Sequence, residues 1–340
     1  MYRLAFALAT TLAALPFAPG PFATLAAAAG DPPRLLWPVD CVPGQSCWLV
    51  GYVDHGPPGV PMDYACGRRT RPGQTITEVA VGDMIAVARG IRVLAAAAGT
   101  VAHVRNGMPD GGYLADRASV KDRECGNGVV LDHGGGWQTW YCHLRADSIA
   151  VQLGQAVTAG QRIAMAGMSG RAEFPVLSFE VRQGRDAVDP FLGRGAMKTC
   201  GSGTDPLWAE PIRPALTYRG ADITAAGFSD VKPSALTVDY GAAGKDTLPS
   251  QAPAMLLWTR IHGARKGDEI TLRIDGPDGQ PFTQDVATLT QDRSVLTRFA
   301  GIERRLAAWP SGQYRGTVII RRAGPDGMSQ FERQTSVTVR

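Results

Sequence analysis

Short runs of Val, Ile, Leu and aromatic residues recur along the chain, broken at close intervals by Gly, Pro, Asn and Asp. Apolar residues at helical spacing are almost absent, so the pattern predicts an all-β protein. "GIRVLAAAAGTVAHVR" (90–105) reads as two strands around Gly99, and "NGVVLDH" with "WQTWYCHL" reads as a hairpin turned by "HGGG". In "VLSFEVR" (176–182) and "DEITLRIDGPDG" apolar and polar positions alternate, which buries one face of each strand. Pro277-Asp278-Gly279 then supplies a turn, because Pro fixes one dihedral and Gly permits a positive one. No repeat of solenoid length is visible.

Composition shifts after Phe191. Residues 194–206 are small and polar and read as a linker. Residues 207–340 hold strand-like runs such as "AMLLWTRIHG" and "GQYRGTVIIRR", which predict an immunoglobulin/fibronectin-like β-sandwich. No cysteine lies beyond Cys200, so that sandwich would lack an internal disulfide. At the other end, residues 1–29 read as a signal peptide, with Arg3, an apolar run and small residues at the cleavage site. Pro16, Pro19, Gly20 and Pro21 interrupt the run, so no membrane span is expected after cleavage, and the protein is expected to be periplasmic or secreted.

Charge and cysteines narrow the function classes. A net charge of +4 without a basic block or aromatic-basic interleaving argues against nucleic acid as a partner. Six cysteines behind a signal peptide imply disulfides in an oxidising compartment. Cys125 and Cys142 flank the predicted hairpin, Cys41 and Cys47 enclose a turn, and Cys66 with Cys200 follows by elimination, other pairings staying open. There is no Gly-x-Ser-x-Gly elbow and no His-Glu-x-x-His. Ser169 and His133 read as turn residues, the latter solvated. Trp137, Trp140 and Tyr141 read as sheet packing, with stacking on sugars or peptide stems as the functional alternative.

Four stretches in order, "GIRVLAAAAGTV", "CGNGVVLDHGGGWQTWYCHL", "VQLGQAVTAGQRIAMAGMSG" and "FPVLSFEVR" followed by "VDPF", resemble the M23 peptidase family of lysostaphin and LytM type. The resemblance covers about residues 40 to 191, which places an M23-like domain at 30–193, and it implies an antiparallel β-sheet crossed by a groove that holds zinc. It also implies a substrate in the peptides of peptidoglycan. Family members take metal ligands from an H-x-x-x-D motif and from the second His of H-x-H. A His in the Tyr-x-His-Leu element and the first His of H-x-H assist the water. Such a zinc needs about three protein ligands and an open position for water.

In this chain the H-x-x-x-D positions read Gln74 and Glu78, and the H-x-H positions read Val176 and Ser178. Only His143, in Tyr141 to Leu144, keeps its family identity. Valine coordinates nothing, and a neutral amide or hydroxyl is a poor zinc ligand. No cofactor is therefore expected, and the domain reads as a pseudopeptidase that binds peptidoglycan or regulates a cell-wall hydrolase. The alternatives are an active zinc endopeptidase with non-standard ligands, for instance a displaced set of His55, Glu78 and His143, and a structural protein of the envelope.

Overall fold

A computed structural model describes residues 30–194, 200–305, 307–324 and 327–340. The expected signal peptide, 1–29, and the middle of the expected linker lie outside the described residues. Among them, no helix is long and apolar enough to cross a membrane.

The first domain is built on ten strands: β1 (Trp48–Gly51), β2 (Thr77–Ala80), β3 (Arg92–Leu94), β4 (Gly99–Arg105), β5 (Asn127–Asp132), β6 (Trp137–Leu144), β7 (Ala156–Val157), β8 (Arg162–Met165), β9 (Val176–Gln183) and β10 (Asp186–Val188). Eight of them form one sheet in the order β1-β2-β9-β6-β5-β4-β7, with β10 on β9, and every pairing is antiparallel. Strand alternation divides this sheet cleanly. Leu177, Phe179 and Val181 of β9, Trp137 and Tyr141 of β6, and Val79 of β2 face one buried core. The opposite face carries Glu78, Val176, Ser178, Glu180, Trp140 and Cys142, with Glu78 and Cys142 both opposite Ser178. That face is the floor of the expected groove.

The second domain packs a three-stranded sheet against a five-stranded one. Its strands are β11 (Asp222–Ser229), β12 (Thr247–Leu248), β13 (Ala254–Ala264), β14 (Glu269–Asp275), β15 (Pro281–Thr288), β16 (Arg293–Glu303), β17 (Gly312–Gly324) and β18 (Gly327–Val339), in the orders β11-β13-β16 and β12-β18-β17-β14-β15. Met255, Leu257 and Ile261 from one sheet meet Ile270, Leu272, Ile274, Val318 and Ile320 from the other in one core. Ile270, Leu272 and Ile274 are the alternating residues of "DEITLRIDGPDG", and all three point inward.

Three details differ from the sequence reading. The first core takes in Leu207, Trp208 and Leu216, past the expected boundary at 206, because Leu35 pairs its backbone with Leu207 and Ala209 and draws that segment in. Short helices also occur: α1 (Met84–Arg89), α2 (Gly112–Ala115) and α3 (Ala235–Asp239). Asp83 caps α1 by accepting from Ala86 N, and Ser234 and Thr237 form a capping box on α3. Finally, His133 is no solvated turn residue. Its Nδ1 lies 2.7 Å from Ala98 O and its Nε2 2.8 Å from Thr139 Oγ1, tying the β5–β6 turn to the start of β4.

Three disulfides join Cys41 to Cys47, Cys66 to Cys200 and Cys125 to Cys142. Cys66–Cys200 anchors the segment between the domains, whose Gly201 and Gly203 also donate to Tyr64 O and Phe191 O. The domains meet along a buried seam. Arg69 of the first, with its side chain fully buried, donates to Asp222 Oδ2 at 2.5 Å and to Arg219 O at 2.7 Å. Phe174 stacks edge-on against the buried His262 ring, with centroids 4.7 Å apart.

Candidate functional site

The groove positions do converge. The turn Thr70–Gln74 is pinned by Asp54, whose carboxylate accepts from Gly73 N at 2.8 Å and whose own N–H donates to Gln74 O. This holds Gln74 beside Glu78 over Gly51 of β1, where a Cβ would lie 2.3 Å from Glu78 Oε2 and 2.8 Å from Gln74 Nε2. Glu78 sits on β2 opposite Ser178 of β9. His143 follows Cys142, itself opposite Ser178, at a bulge where the chain takes φ 64°.

Each of these side chains is committed in a way that bears on metal binding. Arg71 Nη2 donates to Glu78 Oε1 at 2.6 Å, so the carboxylate is already neutralised by a guanidinium. Gln74 Nε2 donates to Ile76 O at 3.0 Å, while its buried Oε1 has no partner, and neither has the buried Ser178 Oγ. Val176 lies in a small apolar cluster with Met168 and Ala172, against which Met84 and Phe174 pack. His143 Nδ1 lies 2.7 Å from Ser169 O, and a carbonyl partner requires Nδ1–H, which leaves the lone pair on Nε2. Burial holds its pKa below the usual range, against the carbonyl bond and the nearby Glu78 carboxylate, which favour the charged form. Ser169, read from sequence as a turn residue, is an internal latch. Its Oγ donates to Leu144 O at 2.7 Å and accepts from Asn127 N at 2.9 Å.

This set does not fit a zinc ion. It offers one imidazole, one neutral amide, one hydroxyl and one carboxylate whose charge Arg71 cancels. A dication would sit among them with no net compensating charge and a guanidinium beside it. The displaced set fares no better, because His55 Nε2 is bound to the buried Asp189 carboxylate at 2.7 Å. Among the described residues no three His, Cys, Asp or Glu side chains cluster closely enough to hold a metal. The aromatic residues divide: Trp137 and Tyr141 are core, whereas Trp140 lies on the groove face under Arg182, 4.4 Å from its guanidinium carbon, with Arg182 paired to Glu180 at 3.0 Å.

Residues 78–190 match the model of Peptidase family M23. Over that stretch the chain resembles the M23 peptidases. Over 158 residues it is 30% identical to the uncharacterized lipoprotein YgeR of Escherichia coli K12, covering 46% of this chain and 50% of that relative. Over 64 residues it is 45% identical to the peptidoglycan DD-endopeptidase ShyB of Vibrio cholerae, covering 19% of this chain and 15% of that protein. The chain thus matches half or less of the length of these curated relatives. A structure of a putative peptidase M23 from Pseudomonas aeruginosa is 25% identical, covers 48% of this chain and 51% of its own, and has a TM-score of 0.29.

Neither Arg71 nor Ser169 stood out in the sequence as a partner of the site. Arg71 lies three residues before Gln74, and a basic residue there, with a glutamate at the acidic position, is the available signal.

Proposed function

We propose that this protein is an extracytoplasmic, non-catalytic M23 module that binds peptidoglycan or governs a cell-wall hydrolase. The observation that carries the reading is the Arg71–Glu78 ion pair at 2.6 Å, in which a solvent-exposed guanidinium of the chain itself stands against the one carboxylate of the M23 ligand positions. The apolar packing of Val176 and the neutral Gln74 and Ser178 support it from the other side of the groove. Three disulfides support an oxidising compartment. The groove face, with Trp140, Arg182 and Glu180 in one row, keeps an aromatic and charged surface for a peptide or glycan.

Two measurements test the reading. Metal content of the mature protein is determined after equilibration with zinc and desalting; stoichiometric zinc with chelator-sensitive cleavage of peptidoglycan would make it an active endopeptidase instead. Purified sacculi are then pelleted with the protein. Retention supports direct wall binding, and absence from the pellet leaves control of a hydrolase as the surviving form.

A further inference from the structure

The two ends of the groove differ in what is left open. At the β2 end, His262, Ser294 and Val295 of the sandwich share a space of only ≈ 40 Å³ with Gln74 and Glu78, room for water but not for a peptide or a sugar. At the β4 end the groove opens into a hollow of ≈ 380 Å³, within the range of small-molecule sites. Its floor follows from strand register. Trp140 of β6 stands opposite Val130 of β5, and Val130 opposite His103 of β4, so the three share the groove face. In the next row Gly128, opposite Cys142, leaves room for the Cys125–Cys142 disulfide: a Cβ there would come within 2.9 Å of Cys125 Sγ.

The floor is apolar and the rim is not. Trp140 Nε1 donates to Gln138 Oε1 at 3.2 Å, so what the half-buried indole offers the hollow is ring surface. The rim carries two guanidiniums, Arg105 and Arg123, two carboxylates, Asp122 and Glu124, and the His103 imidazole. None of the five is in an ion pair among the described residues. The arginines donate only to carbonyls, Arg105 to Gly126 O and Arg123 to Ser119 O at 2.6 Å. The side chains of Asp122 and His103 make no hydrogen bond among the described residues. A cation would meet two guanidiniums here and an anion two carboxylates, so the rim favours neither sign. It suits a neutral ligand whose edge groups both donate and accept, above a body with an apolar face. A sugar ring pairs these properties, with hydroxyls around its edge and C–H groups across its face. The hollow also lies over β5, which is paired on both sides, so a peptide finds no strand edge there to extend.

We infer that the β4 end of the groove is a saccharide subsite, in which a neutral N-acetylated sugar lies on Trp140, Val130 and the disulfide and shares its hydroxyl and acetamido groups with His103 and the charged rim. The inference deepens the wall-binding reading and rests on it for the choice of sugar, because the glycan of peptidoglycan is built from N-acetylated rings. It assigns that glycan, rather than the peptides, to the open half of the groove.

The whole protein is titrated calorimetrically with N,N′,N″-triacetylchitotriose, with chitotriose, its deacetylated and cationic form, and with sugar-free stem peptide. The neutral trisaccharide should bind, the cationic one less well, and the peptide not at all. Trp140→Ala should weaken the trisaccharide about tenfold. Asp122→Asn should weaken it roughly three- to tenfold, and Asn tolerates the positive φ of 61° that Asp122 adopts. Each variant's thermal unfolding is recorded alongside, so that lost binding is read only from folded protein. Failure of triacetylchitotriose to bind at millimolar concentration overturns the subsite. So does equal or tighter binding of chitotriose, binding of the peptide alone, or an affinity unchanged in both variants. Retention on sacculi without trisaccharide binding would spare the wall-binding reading and sink only the subsite. Trisaccharide binding by a chain that also holds zinc and cleaves peptidoglycan would do the reverse.

Discussion

Rebuilding the zinc ligands tests the reading of the groove most directly. The perturbation is the quadruple substitution Gln74→His, Glu78→Asp, Val176→His and Ser178→His. Its cost is set mainly at Val176, which is 3% exposed within its apolar cluster. Losing the buried valine costs about 1.5–3 kcal/mol, and forcing an imidazole into a packed site adds about 1–3 kcal/mol. The Arg71–Glu78 pair adds little, because Arg71 is 58% exposed and such pairs contribute at most about 1 kcal/mol. Gln74 Oε1 and Ser178 Oγ have no partners to lose. The metal-free variant should therefore be about 3–6 kcal/mol less stable than the parent. Zinc at about a thousand times its dissociation constant returns about 4 kcal/mol, so saturating metal should restore most of the loss. Thermal unfolding with zinc and with chelator, together with metal content after desalting, reads both effects. A folded variant that takes up no zinc would show that these four positions do not converge as described. A parent chain that already holds one zinc would refute the loss of the site altogether.

Other perturbations probe the seam. Asp222→Ala leaves the fully buried Arg69 charge with only a carbonyl, and urea unfolding should show a loss of about 3–5 kcal/mol; a loss near zero would mean that the domains separate freely. Replacing Cys66 and Cys200 by Ser opens a link between residues 134 apart, which the chain-entropy account values at about 5 kcal/mol, measurable as a fall in the denaturant midpoint. Asp239 should give a pH signature. Burial raises its pKa to about 6, Arg260 of β13 opposing and Glu173 and Asp83 reinforcing the shift. A carboxyl raised in the folded state holds its proton more tightly there, so this contribution to stability is full below about pH 4 and is lost as the pH rises through 6. Comparing parent and Asp239→Asn by urea unfolding from pH 4 to 7 isolates it, and parallel pH profiles would refute it.

How legible this was follows from the period of a strand. In β9 the residues that hold the fold, Leu177, Phe179 and Val181, alternate with the positions that would hold the chemistry, Val176 and Ser178. The two sets face opposite sides of one sheet, so the sheet forms whatever the groove positions contain. The β5–β6 hairpin and the inward parity of β9 and β14 could thus be read from local pattern, because each depends on neighbours in sequence or on a side chain's parity, whereas the groove positions were named through the family resemblance. What escaped the sequence depends on contacts between distant segments. Leu207 and Trp208 look like linker in composition, yet Leu35 carries them into the first core. His262 looks like an ordinary strand residue, and only docking sets it against Phe174. Arg71 looks like a solvated turn residue until the turn, pinned by Asp54, brings it onto Glu78. The same separation by face makes the fold of this sheet independent of what its groove positions hold. The core side supplies the burial that stabilises the sheet, and the groove side carries Glu78 with its Arg71 partner and the apolar cluster around Val176.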